Sequence, residues 1–207
     1  MIGSKRAVLR VMAAACITTL MTGTRWAVAR TRPRKRKKAT TMKIYLAGPL
    51  GFSEAGRLFH ERVVVPAITG LGHEPLDPWK LTSVAKIIAL QNMPYGTARR
   101  DAWQHLDDEI GKRNHAAIDE CHMVFAVLDG TDVDSGTAAE IGYAFAKNKP
   151  ILGYRGDFRL SADNEGTIVN LQVEYFIRAS GGKIITHIAD LGAALTSIAA
   201  ASRKSPI

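Results

Sequence analysis

The stretch Asp134-Ser-Gly-Thr-Ala-Ala-Glu140-Ile-Gly-Tyr-Ala144 places two carboxylates six positions apart at what reads as a helix start. Asp134 or Ser135 carries a side-chain oxygen suited to capping that helix. The small residues Gly136 to Ala139 would let a ligand approach its first turn, and Glu140 falls about one turn in, among apolar neighbours. A carboxylate facing a cleft there can attack an anomeric carbon or serve as a general base. A glutamate early in a helix is also favoured by the helix dipole with no chemistry implied. The residues alone leave both readings open.

The elements that would position these carboxylates alternate between strand and helix. Lys43-Ile-Tyr-Leu-Ala47 is a short apolar run ended by Gly48-Pro49 and reads as a buried strand breaking into a loop. A helix is expected from about Ser53 to Leu71 with Ser53 as N-cap, then a second strand over Glu74 to Trp79 entering a loop. Residues 80 to 100 give mixed signals, with a turn at Asn92 to Gly96; a polar helix is expected over about Ala102 to Glu120. Met123-Val-Phe-Ala-Val-Leu128 is a continuous apolar hexamer of the kind buried on both faces of a parallel sheet. The helix from about Thr137 to Lys147 and the strand Pro150 to Tyr154 follow. The alternation implies βαβ units and a flavodoxin-like α/β three-layer sandwich with a mainly parallel sheet.

Ligands of such sheets bind beyond the carboxyl ends of the strands. Four polar clusters are expected there: Tyr45 with the Gly48 to Phe52 loop, Asp77 with Trp79, Asp129 to Asp134, and Tyr154 to Asp157. Gly48-Pro-Leu-Gly51 lacks the spacing of a dinucleotide-binding loop, and Pro49 removes a phosphate-binding N–H, which speaks against NAD.

The chain's net charge of +9 would point to a polyanion if it were spread over the fold. It is not, because residues 1–41 hold 11 of the 28 Lys and Arg and no Asp or Glu. The remainder has 17 basic against 19 acidic residues, a net of −2, so neither a nucleic-acid groove nor a membrane surface is expected as partner. The first 41 residues read as a basic leader, expected to be disordered, with an apolar stretch from Val11 to Met21 and a basic run to Lys38. A targeting segment, a nucleic-acid tail and a translation start at Met42 are the competing accounts. The domain is expected to occupy residues 42–207, in the cytoplasm. No apolar stretch of the sequence reaches the roughly 18 to 20 residues of a membrane span. Two cysteines, Cys16 and Cys121, exclude a disulfide framework, no Cys/His spacing resembles a zinc site, and the six histidines read as surface or structural.

The combination of Lys43-Ile-Tyr-Leu-Ala-Gly-Pro49, Asp134 with Glu140 in Glu-Ile-Gly-Tyr-Ala, and Asn170-Leu-Gln-Val-Glu174 resembles the nucleoside 2-deoxyribosyltransferase family over about residues 43 to 195. By that resemblance the activity would be transfer of 2-deoxyribose between nucleobases in nucleotide salvage, with slow hydrolysis as a side reaction. Glu140 matches the nucleophile, Tyr45 the tyrosine that orients it, and Asp134 the aspartate that holds the deoxyribose. Asn170 resembles an asparagine supplied by a neighbouring subunit of a homo-oligomer. Asn114 takes the position where some members carry an aspartate near the base. Asp77 is the expected proton donor, Gly48 lies in the substrate-binding loop, and Phe52 and Trp79 stack on the base or pack in the core. The resemblance implies no metal and no cofactor.

Two alternatives stand beside this reading. A 2'-deoxynucleoside 5'-monophosphate N-hydrolase would share fold and glutamate, but a serine would face the 5'-phosphate, where Asp134 would repel a dianion. A noncatalytic nucleotide-binding module using the basic leader would show strongly salt-dependent binding.

Overall fold

The computed structural model describes residues 41–202, so the basic leader up to residue 40 lies outside the described residues. Five strands, β1 (Lys43–Ala47), β2 (Glu74–Leu76), β3 (Met123–Val127), β4 (Ile151–Tyr154) and β5 (Lys183–Ile185), form one sheet in the order β2-β1-β3-β4-β5. Every pairing is parallel. This is the flavodoxin-like strand order, in which the chain direction across the sheet reverses between β1 and β3 and opens a crevice at their carboxyl ends.

Pleating sends alternate residues of each strand to opposite faces. Tyr45, Ala47, Val124 and Ala126 pack with Ala117 and Ile118 of α5 (Thr97–Glu120), Ile141 and Ala144 of α6 (Ser135–Ala146), and Val173 and Ile177 of α7 (Leu171–Ala179). Ile44, Leu46, Met123 and Phe125 face the other way. They meet the helical segment formed by α1 (Glu54–Phe59), a π-helical turn (His60–Val64) and α2 (Val65–Gly70), together with α8 (Leu191–Ser202). The registers Tyr45 with Val124 and Ala47 with Ala126 fix which side chains of β1 reach α6.

Several expected boundaries shift for local reasons. The first helix begins after Ser53, whose hydroxyl accepts from Gly56 N at 3.0 Å, as expected of a cap. The strand expected to run to Trp79 ends at Leu76, because Asp77 caps a short helix, α3 (Pro78–Leu81), in which Pro78 takes the first position. Trp79 is therefore helical. The unplaced stretch 80 to 100 contains α4 (Val84–Gln91), and α5 begins at Thr97, ahead of the expected Ala102. No candidate membrane-spanning helix occurs among the described residues.

Candidate active site

The crevice brings Tyr45 and Glu140 together. Tyr45 stands fully buried in the middle of β1, and its phenol donates to Glu140 Oε1 at 2.5 Å. Burial pushes the Glu140 carboxyl up, the Tyr45 hydrogen bond opposes that, and the charge of Asp134 adds to it, leaving the group at about 7. Burial and the adjacent glutamate push the Tyr45 phenol well above its ordinary range, so it acts only as a donor.

Asp134 caps α6. Its Oδ2 accepts from Thr137 N at 2.9 Å and from Thr137 Oγ1 at 3.0 Å. The cap holds the loop after β3 against the helix and sets Glu140 one and a half turns further on, on the face of α6 turned toward Tyr45. Gly48, with φ 154°, passes so close to β3 that a Cβ there would stand 3.0 Å from Val127 Cβ, which ties the loop after β1 down beside the crevice.

At the neighbouring strand end, Asp77 is almost completely buried. Its Oδ1 accepts from Trp79 N at 3.1 Å, and its Oδ2 lies 2.9 Å from His60 Nε2. The Trp79 ring lies against Gly51 so closely that an added Cβ would fall 2.1 Å from it. Phe52, 74% exposed, meets the same indole edge-on at 4.8 Å, and Trp79 itself stays 38% exposed. The pair forms an aromatic lip rather than core. Asn114 lies on α5 with a buried side-chain oxygen that has no hydrogen-bond partner.

The remaining expected residues are held by contacts of their own. Asn170 caps α7, accepting from Gln172 N at 3.0 Å and Val173 N at 3.4 Å and donating to Asp163 Oδ2 at 3.3 Å. Tyr154 packs on the opposite sheet face, stacked with Phe59 and Phe125, while Asp157 is held by Arg159 and by its own N–H to Asp129 Oδ1. The fourth polar cluster is thus loop scaffold. Sequence reasoning passed over Arg155, which is buried and donates to the carbonyls of Leu128, Gly130 and Arg159, bracing the loop that leads to Asp134. It also passed over His60. Among the described residues no group of three or more His, Cys, Asp or Glu is arranged to hold a metal ion.

The family described as nucleoside 2-deoxyribosyltransferase matches residues 44–172, a span that begins in β1 and ends just inside α7. The chain belongs to the nucleoside 2-deoxyribosyltransferase family. Among solved structures, a conserved protein from Enterococcus faecalis V583 is similar at 24% identity over 76% of this chain and 98% of its own, with a TM-score of 0.54. A 2-deoxyribosyltransferase from Bacillus psychrosaccharolyticus is similar at 22% identity over 72% of this chain and 90% of its own, with a TM-score of 0.50. Both likenesses are of fold. No curated protein matches the sequence.

Proposed function

We propose that the protein transfers 2-deoxyribosyl groups between nucleobases by way of a covalent glycosyl ester on Glu140. The observation that carries this reading is the Tyr45–Glu140 contact between β1 and α6: one buried donor fixes one carboxylate oxygen and leaves the other for a substrate. Family membership supplies the reaction class.

In the first half-reaction Glu140 attacks C1' as the bond to the base nitrogen breaks through an oxocarbenium-like transition state. The bonding electrons go to the base, which leaves with a proton. A second base then attacks C1' from the vacated side, so the product keeps the starting configuration, and water in its place gives slow hydrolysis. Asp134, with Oδ2 engaged by Thr137, offers Oδ1 to a sugar hydroxyl. Phe52 and Trp79 flank the base, with Asp77 as its proton donor and Asn114 beside it. Asn170 comes from a neighbouring subunit of a homo-oligomer.

The test is incubation of 2'-deoxyinosine with adenine, followed by chromatography. Formation of 2'-deoxyadenosine by the unmutated chain and none by Glu140→Ala supports the proposal. Base release confined to 2'-deoxynucleoside 5'-monophosphates would replace it with the hydrolase reading.

A further inference from the structure

His60 approaches the site from the side that the proposed chemistry does not use. It belongs to the π-helical turn His60–Val64, a departure from α-helical geometry of the kind often found at functional sites. It lines a small cavity with Leu46, Phe125 and Val127 of the sheet face opposite Glu140, and with Gly48 and Trp79 beside the crevice. From there it meets Asp77 at 2.9 Å, and the two side chains are 8% and 4% exposed. The polar contact that His60 makes toward the crevice is the one to Asp77.

Asp77 needs such a partner. Its backbone ends β2 beside β1, where Leu76 is in register with Tyr45, and the Trp79 N–H engages only Oδ1. Without His60, Oδ2 would be a buried oxygen with no partner, which carries a desolvation cost. That cost would turn the carboxyl toward water and away from the base. We infer that His60 is a positioning residue for the departing nucleobase: its imidazole N–H holds Asp77 Oδ2, orients the carboxyl toward the base and stabilises the carboxylate left when the proton is given up. This deepens the proposed function and rests on it.

The balance is simple. As C1'–N breaks, its electron pair goes to the base nitrogen, which takes the proton from Asp77. Asp77 becomes a carboxylate that keeps the His60 N–H, and the incoming base later returns its own proton to Asp77. His60 neither gains nor loses a proton overall.

The role separates from a purely structural one by the choice of leaving group. A neutral base such as that of 2'-deoxyadenosine needs protonation to leave well, whereas the base of 7-methyl-2'-deoxyguanosine is already cationic and needs none. General acid catalysis is worth about 10²–10⁴-fold, so loss of its positioning should remove a good part of that. The experiment measures kcat and KM on both nucleosides for the full chain, His60→Leu, His60→Gln, Asp77→Asn and the His60→Leu/Asp77→Asn double variant, with each melting temperature recorded. We expect His60→Leu to lower kcat on 2'-deoxyadenosine by about 10- to 100-fold and on 7-methyl-2'-deoxyguanosine by less than about 3-fold. His60→Gln, which keeps an N–H donor, should recover most of the loss, and the double variant should match Asp77→Asn alone. Equal losses on both nucleosides, or no loss on the neutral one, would overturn the inference while leaving the glutamate chemistry standing. Should His60→Leu fail to fold, His60→Gln and Asp77→Asn still decide the matter: a leaving-group-independent effect of Asp77→Asn overturns it. Failure of the unmutated chain to act on either nucleoside would instead overturn the proposed function, and this inference with it.

Discussion

The Tyr45 phenol and the Glu140 carboxylate meet at 2.5 Å although 95 positions separate them in the chain. One stands at the middle of the first strand and the other on the helix after the third. Adjacent placement of β1 and β3 at the centre of the sheet makes the contact, and burial of both groups makes it consequential.

Tyr45→Phe removes the hydrogen bond that holds the Glu140 carboxyl down while leaving its burial in place. The carboxyl should therefore ionise at still higher pH. Under the proposed function the nucleophile is the ionised form, so kcat/KM for base exchange should rise with pH through about 7 in the unmutated protein, and that limb should move to more alkaline pH in the variant. A pH–rate profile of the two checks this; an unmoved limb would mean that another group sets it.

Glu140 should also cost stability. Its folded pKa of about 7 lies above the ordinary 4.5, so the folded state binds more protons than the unfolded state between those values. Stability is then full below about pH 4.5 and falls as pH rises through about 7. Glu140→Gln, which cannot ionise, should be more stable than the unmutated chain at pH 8 by about 3 kcal/mol and nearly equal to it at pH 4. Denaturant melts at the two pH values give the comparison.

Much of this architecture was legible in the sequence. The hexamer Met123–Leu128 declared a doubly buried strand because no polar residue interrupts it, and the five residues of β3 are all buried. The small residues between Asp134 and Glu140 marked the helix start, and Asp134 is its cap. What escaped depends on three-dimensional neighbours or on weak local contrast. His60 carries no local sign of its partner, since the Asp77 contact arises only when the π-helical turn packs against the end of β2. The three residues of β5 are too few to show a period. Asp77-Pro78-Trp79 was readable as cap and first helical position, yet the apolar Leu76 and Trp79 favoured a strand.

Asn170 has two separable duties under the proposed function: it caps α7 in its own chain and completes a neighbour's site. Asn170→Ser keeps a capping oxygen and should stay within about 1 kcal/mol of the parent stability, but lose most base exchange. Refolding inactive Glu140→Ala and inactive Asn170→Ser chains together should restore part of the activity through mixed sites. A fully active monomer by light scattering, or no recovery in the mixture, would assign Asn170 to capping alone.

Deleting residues 1–41 should leave turnover and melting temperature nearly unchanged, because β1 starts at Lys43 and, among the described residues, the core clusters are built from Met42 onward. A large loss of either in a thermal melt and exchange assay of the truncated chain would give the leader a part in the domain.

The central claim is the covalent bond to Glu140, and intact-protein mass spectrometry of an acid-quenched reaction with 2'-deoxyinosine alone tests it most directly. The proposed function predicts a species heavier by one 2-deoxyribosyl group, mapped by peptide analysis to Glu140, absent in Glu140→Gln and discharged when adenine is added. Brisk base exchange with no such adduct, or an adduct on a different residue, would contradict it.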